Sequence, residues 1–259
     1  MTKTNWKKIR LGELCEISRG SSPRPIADER YFVGGTIPWI KIADATKSGK
    51  YLYETRAKVN EFGASFSRLL PAGSLIVAAS GTLGYTQILG VPGCVHDGWL
   101  IIQSLNGIDR DFLYYLFQYR QQHFYNMAYG AAIQNINTMI LREMEIEIPP
   151  LNEQKKIAAI LSAYDDLIEN NTRRIQILEE MARRIYEEWF VRFRFPGHEN
   201  VRMVESALGL IPDGWSVKTL DRVATINGLS ITRGKEPSHI LYVDIASVST
   251  GNGCLKRQS

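Results

Sequence analysis

Few residues in this chain stand at spacings that could do covalent chemistry. His96, His123, His198 and His239 are scattered, and none is set to act as base to a nearby nucleophile. Cys15, Cys94 and Cys254 are widely separated, and Cys94 with His96 has no second ligand pair nearby. Neither a disulfide framework nor a zinc site is expected from them. Gly81-Thr82-Leu83-Gly84 is too short for a phosphate loop and lacks its lysine. Ile148-Pro149-Pro150-Leu151 shares two prolines with the amino-methyltransferase motif. It has neither the polar side chain that would hold a target amine nor the aromatic that would stack on a flipped base. Glu153-Gln154-Lys155 lacks the upstream acidic partners that a metal-dependent nuclease requires. No catalytic residue, no metal site and no cofactor are therefore expected in this chain, and binding is the chemistry left to it.

The element that must position any binding site is a helix over residues 152–190. Ile157, Leu161, Tyr164, Ile168, Asn171, Ile175, Leu178, Ala182, Ile185 and Trp189 alternate spacings of four and three, an a/d seam held for more than four heptads. The other faces carry charge, with i,i+4 pairs such as Glu179 and Arg183. A narrow apolar stripe on so long a helix calls for another helix against it. Asn171 favours that reading over packing on the chain's own core, because one polar seam residue sets register at some cost in stability. Pro149-Pro150 precede the helix, Asn152 is a plausible N-cap, and Pro196-Gly197 stop it.

Residues 1–150 read as a mixed α/β domain. Leu11, Leu14 and Ile17 suggest a short amphipathic helix or turn over 6–17, and a loop rich in Ser, Pro and Arg follows at 18–25. Strands are expected at 36–42, 74–79, 85–89, 98–105 and 144–148, with a helix over 109–125. Trp6, Leu11, Leu14 and Ile17 recur as Trp215, Leu220, Val223 and Ile226 at a constant offset, and residues 39–44 line up with 242–247. The resulting plan is a first domain at 1–150, the long helix at 151–195, a linker at 196–214 and the start of a second copy at 215–259. The fold class is α/β, of the α+β kind, with a mixed sheet.

The 44% hydrophobic content suits a globular protein with a core. No apolar run reaches the length of a membrane span and no signal-peptide core opens the chain, so a cytoplasmic protein with no membrane partner is expected. Charge is uneven. Residues 1–70 hold 13 Lys/Arg against 7 Asp/Glu, whereas residues 71–150 hold 3 against 6. The basic N-terminal section suits a polyanionic partner.

Three stretches then combine: Leu69-Leu70-Pro71-Ala72-Gly73-Ser74-Leu75-Ile76-Val77, Ser80-Gly81-Thr82-Leu83-Gly84, and Gly130-Ala131-Ala132-Ile133-Gln134-Asn135-Ile136-Asn137. Together they resemble a target-recognition domain of the DNA-specificity subunit of type I restriction–modification systems. Ile148-Pro149-Pro150-Leu151-Asn152-Glu153-Gln154-Lys155-Lys156-Ile157 is similar to the start of that family's spacer helix, and Glu188-Trp189-Phe190-Val191-Arg192-Phe193 to its end.

The resemblance implies a subunit that reads a bipartite target in double-stranded DNA through two recognition domains. It also implies modification subunits that bring S-adenosylmethionine, and restriction subunits that bring ATP hydrolysis and Mg. Against that pattern the second domain is expected to be truncated, either leaving a defective subunit or calling for a homodimer through the helix. A coiled-coil assembly module without sequence-specific reading is the alternative.

If the resemblance holds, base reading needs forked donors and amides on loops. The candidates are Arg19, Ser21 and Arg24 in the first loop, Lys47 in the 46–50 turn, Ser80 and Thr82, and Gln134, Asn135 and Asn137. Lys7 and Lys8 are candidate phosphate contacts. The plainer alternatives are solvated surface for the arginines, a turn role for Thr82 and local capping for Asn135 or Asn137. The aromatics over 114–125 are expected to be core, with a surface for a modification subunit.

Overall fold

The computed structural model describes residues 5–128 and 135–225. It divides into two compact units at 1–180 and 181–259. Gln134, Ile226, residues 242–247 and Cys254 lie outside the described residues.

In the first unit the strands are β1 (Lys7–Arg10), β2 (Glu16–Arg19), β3 (Ile37–Ile40), β4 (Tyr51–Leu52), β5 (Ala57–Val59), β6 (Arg68–Leu70), β7 (Leu75–Ala78), β8 (Thr86–Leu89), β9 (Gly93–Val95), β10 (Trp99–Gln103) and β11 (Glu145–Ile148). The helices are α1 (Ile42–Ala45), α2 (Glu61–Ser65), α3 (Arg110–Tyr119), α4 (Gln121–Ala128), α5 (Thr138–Arg142) and α6 (Leu151–Tyr186). A five-stranded sheet runs β2-β10-β7-β8-β4, a four-stranded one β5-β3-β9-β6, and β1 pairs with β11. Both larger sheets mix parallel and antiparallel pairs. The α+β expectation holds.

The central strands β7, β8 and β10 are almost wholly buried; the apolar runs of β7 and β10 suit strands covered on both faces, and β8 also buries Thr86 and Gln87. One core joins Leu11, Leu14 and Ile17 to Leu75, Val77, Ile88, Leu100, Phe112, Phe117 and Phe124. A second packs Trp99 with Ile40, Ile76, Ala78 and Ile101. Tyr114, Phe117 and Phe124 are therefore core, as expected, while Tyr119 is exposed.

Two local expectations are refined. Residues 6–17, read as a short helix or turn, hold the turn, a 3₁₀ turn at Leu11–Glu13, between β1 and the start of β2. Leu11, Leu14 and Ile17 are buried, at a spacing that imitates a helix face. The helix over 109–125 breaks at Arg120 into α3 and α4.

Helix α6 begins at Leu151, one residue before the expected cap, and Pro150 O accepts the N–H groups of Glu153 and Gln154. Gln154 is fully buried. Its Nε2 donates to Pro149 O at 2.8 Å and Gly107 O at 3.2 Å, and its Oε1 accepts Asp109 N–H at 2.8 Å. One amide thus satisfies the backbone of β11's exit, the loop before α3 and α3's first turn, which fixes where α6 leaves the domain. Its 36 residues reach about 54 Å. Among the described residues no helix is long and apolar enough to cross a membrane.

In the second unit the last turn of the long helix, Glu187–Val191, widens to i→i+5 bonding, Arg192 N–H reaching Glu187 O at 2.9 Å. A hairpin follows, β12 (Met203–Ser206) with β13 (Gly209–Pro212), then α7 (Leu220–Val223). Trp215 stacks among Phe190, Phe193 and Phe195. Leu220 and Val223 are exposed, unlike their first-copy counterparts Leu11 and Leu14.

Candidate nucleic-acid interface

Strand register gathers the candidate loops. Arg19 at the end of β2 lies opposite Leu100 at the start of β10, Trp99 lies opposite Ala78 at the end of β7, and Val77 opposite Thr86 at the start of β8. The loops at 20–36, 79–85 and 96–98 therefore leave the same end of the five-stranded sheet. Ile136 N–H donates to Ala79 O at 2.9 Å, which brings residues 135–137 there. Tyr85 OH donates to Ala45 O at 2.8 Å, and Gln87 Nε2 to Gly49 O at 3.0 Å, which brings in the turn that holds Lys47. In the second sheet β3 and β9 run parallel with Ile40 opposite Val95, so Lys41 and His96 emerge side by side at this edge. All described base-reading candidates share one rim.

Their states differ. Lys47 is exposed. Arg19 Nε donates to Asp97 O at 2.6 Å, and Arg24 pairs with the Asp97 carboxylate, so neither arginine is merely solvated. Ser21 Oγ donates to Phe66 O at 3.1 Å. Ser80 is half-buried, its hydroxyl beside Gly98. Thr82 is a turn residue, its carbonyl accepting Tyr85 N–H at 3.1 Å. Asn137 caps α5 by accepting Ile140 N–H at 2.8 Å, and Asn135 Oδ1 is buried.

Lys8 pairs with Glu145 across the β1–β11 ladder, and Lys7 stands opposite Ile148, beside the start of α6. The start of α6 is tied by Gln154 to Gly107 and Asp109, just past the far end of β10 from the rim. At the rim, a cation that sequence reasoning did not single out is Lys41, exposed beside His96.

The rim is stiff where it matters. The His96 ring lies 6.0 Å from that of Trp39 and 6.3 Å from that of Trp99. Its Nδ1 accepts Gly98 N–H at 2.9 Å, which leaves the proton of the neutral ring on Nε2. Burial pushes the His96 pKa down, and nearby Lys41 adds to this against the opposing pull of Asp97. Burial pushes the Asp97 carboxyl up, but the Ser22 hydroxyl and Arg24 outweigh it and hold it below the usual carboxylate range. A Cβ on Gly20 would lie 2.2 Å from His96 O, so only glycine lets the first loop pass this closely.

The second surface is α6. Gln154 and Ala158 are buried and Ile157 is half-buried against the domain, whereas Leu161, Tyr164, Ile168, Ile175, Leu178, Ile185 and Trp189 are exposed, as are Asn171 and Ala182. Ile160, Leu167, Ile177 and Met181 widen the exposed stripe beyond the expected seam.

The first unit is thus a mixed-sheet domain that gathers polar loops on one rim and extends a helix whose apolar stripe is unburied. The chain belongs to the family described as type I restriction modification DNA specificity domain, which matches residues 3–180. It is 28% identical to the type I restriction enzyme MjaIX specificity subunit of Methanocaldococcus jannaschii, over 94% of this chain and 56% of that protein. With the MjaVIII specificity subunit of the same organism it shares 24% identity over 86% of this chain and 50% of that one. The chain thus spans about half the length of these curated relatives. Its fold is similar to that of a solved S subunit of a type I restriction–modification system from M. genitalium. The TM-score is 0.52 at 21% identity, covering 71% of this chain and 44% of that one.

Proposed function

We propose that this chain is a DNA-specificity component of a type I restriction–modification enzyme. It reads part of a bipartite target in double-stranded DNA through the rim loops and contributes no catalytic group itself. The observation that carries this is the convergence of Arg19, Arg24, Lys41 and Lys47 on one edge, set by strand register in a member of this family. Cations there neutralise phosphates, and forked donors read base edges in the major groove. Methyltransferase and restriction subunits are the protein partners, bringing S-adenosylmethionine, ATP and Mg, and the complex works in the cytoplasm. The test is selection from randomised duplexes by the chain assembled with its methyltransferase subunits. Recovery of a defined half-site supports the reading, and recovery of random sequence refutes it.

The exposed stripe of α6 supports a second partner, a helix packed antiparallel on it. A copy of this chain supplies such a helix. Pairing a over d positions sets Leu161 against Leu178, Tyr164 against Ile175 and Ile168 against Asn171, with the two-fold axis between residues 169 and 170. The recognition domains then lie at opposite ends of the pair and read an inverted repeat.

A further inference from the structure

Asp97, in the turn between β9 and β10, is a carboxylate at the reading rim that sequence reasoning did not single out. Its Oδ1 accepts from Ser22 Oγ at 2.8 Å, its Oδ2 accepts from Arg24 Nη2, and its carbonyl accepts from Arg19 Nε at 2.6 Å. Ser22 Oγ in turn accepts Asp97 N–H at 3.3 Å. One residue therefore holds two arginines 73 and 78 positions away.

The way each arginine is held leaves its reading edge free. A guanidinium carries five N–H donors in a rigid plane, and tying Nε leaves the Nη1/Nη2 end as a fork. Among the described residues neither Arg19 Nη has a protein partner. That fork matches O6 and N7 of guanine, the commonest base-specific contact in the major groove. Arg24 is held through one Nη, and its side chain stays 69% exposed with its other donors available. A free arginine loses considerable rotamer entropy on contact, and one fixed beforehand loses less. Asp97 is itself anchored, since its neighbour His96 is wedged between two buried tryptophans and against Gly20.

We infer that Asp97 is a positioning residue for base reading, presenting Arg19 and Arg24 as pre-set forked donors to guanine edges in the major groove. This rests on the DNA-reading function proposed above. A carboxylate that only neutralised Arg24 would weaken binding to every sequence alike. One that orients it acts at particular base pairs.

The experiment is the same selection from randomised duplexes, run on the full chain assembled with its methyltransferase subunits. The wild type is expected to enrich a half-site that contains guanine. Asp97→Ala and Arg24→Ala should each lose about ten- to hundredfold discrimination at shared base pairs and keep the others, and the double variant should add little. Asp97→Asn keeps a side-chain acceptor for Arg24 and should restore part of the loss, while the Arg19 bond to the residue 97 carbonyl persists in either variant. Arg19→Lys, which cannot fork, should blur a guanine position without touching Asp97. A wild-type motif that Asp97→Ala leaves unmoved, weakens evenly or tightens for all sequences overturns the role of Asp97 alone. Should Asp97→Ala fail to fold, an Arg24→Ala motif identical to the wild type does the same, since Arg24 is the arginine the carboxylate holds. A wild type that selects no motif overturns the DNA-reading function itself.

Discussion

Lys50 Nζ donates to Ser162 Oγ at 2.6 Å, a bond from the turn that carries Lys47 to a half-buried position on α6 one turn beyond Ala158. The same ammonium pairs with Asp111 at 2.9 Å and faces the rings of Tyr51, Tyr114 and Tyr115 at 5.4, 5.8 and 5.0 Å. Tyr115 OH donates to Asp165 one turn further along α6. The helix is thus fastened by Gln154 and Ala158 at its start and by this polar group beyond them. Two points of attachment fix the angle at which the helix leaves its domain.

Lys50→Ala should destabilise the first unit by about 2–4 kcal/mol. The Lys50 side chain is 3% exposed and Asp111 would lose its ammonium, although Arg110 Nε stays 2.6 Å from the carboxylate and tempers the cost. Lys50→Met, which fills the volume, should cost less. Urea unfolding measures both, and hydrogen exchange should show α6 loosened around Ser162 in each variant. Unchanged exchange there would separate Lys50 from helix docking.

Alkaline pH should loosen the same attachment. Burial raises the Tyr115 pKa, and the carboxylate of Asp165 raises it further. A phenol whose folded value lies above its unfolded one contributes stability that is full below about pH 10 and lost as pH rises through the folded value. Stability measured across that range should fall, and Tyr115→Phe should flatten the slope. An equal slope in both proteins would assign the loss to other groups.

The long helix was legible in sequence because its alternation of four and three persists over ten positions, which chance rarely supplies. Strand β7 was legible as an apolar run between glycines, and β8 as the segment that follows the Ser80–Gly84 turn. Strands β1 and β2 were not. Lys7-Lys8-Ile9-Arg10 carries one apolar residue, and its pairing with β11 lies more than 130 residues away in the chain. Leu11, Leu14 and Ile17 imitate a helix face because a 3₁₀ turn leading into a strand also buries every third residue. At the rim, Arg19, Arg24 and Lys47 were found by residue type and loop context. Asp97, His96 and Lys41 matter only through register partners, and a single sequence does not display register.

Salt dependence distinguishes the rim cations from those elsewhere. Lys41→Ala and Lys47→Ala should each lower the salt slope of DNA binding by about one unit and weaken all sequences alike. Lys8→Ala, with Lys8 paired to Glu145 on the β1–β11 ladder, should leave the slope unchanged. Fluorescence anisotropy at several ionic strengths measures this. Equal effects of Lys8 and Lys41 would mean that DNA does not lie on the rim.

The stripe on α6 gives the last prediction. Tyr164, Ile168 and Leu178 are each more than 60% exposed, and burying a leucine or isoleucine side chain contributes about 1.5–3 kcal/mol. Leu178→Glu puts a charge against Leu161 in each half of a symmetric antiparallel pair, so one substitution acts twice and should dissociate a dimer at micromolar concentration. Asn171→Leu should act in the opposite sense. The two Asn171 side chains fall one layer apart across the two-fold axis, where a polar residue fixes register and lowers stability. Its replacement should tighten association while permitting slipped pairings, visible as additional cross-link pairs between helices. Sedimentation equilibrium of wild type, Leu178→Glu and Asn171→Leu is the measurement. A wild type that sediments as a monomer, both alone and with the methyltransferase subunit, would show that the stripe serves some other helix than its own copy.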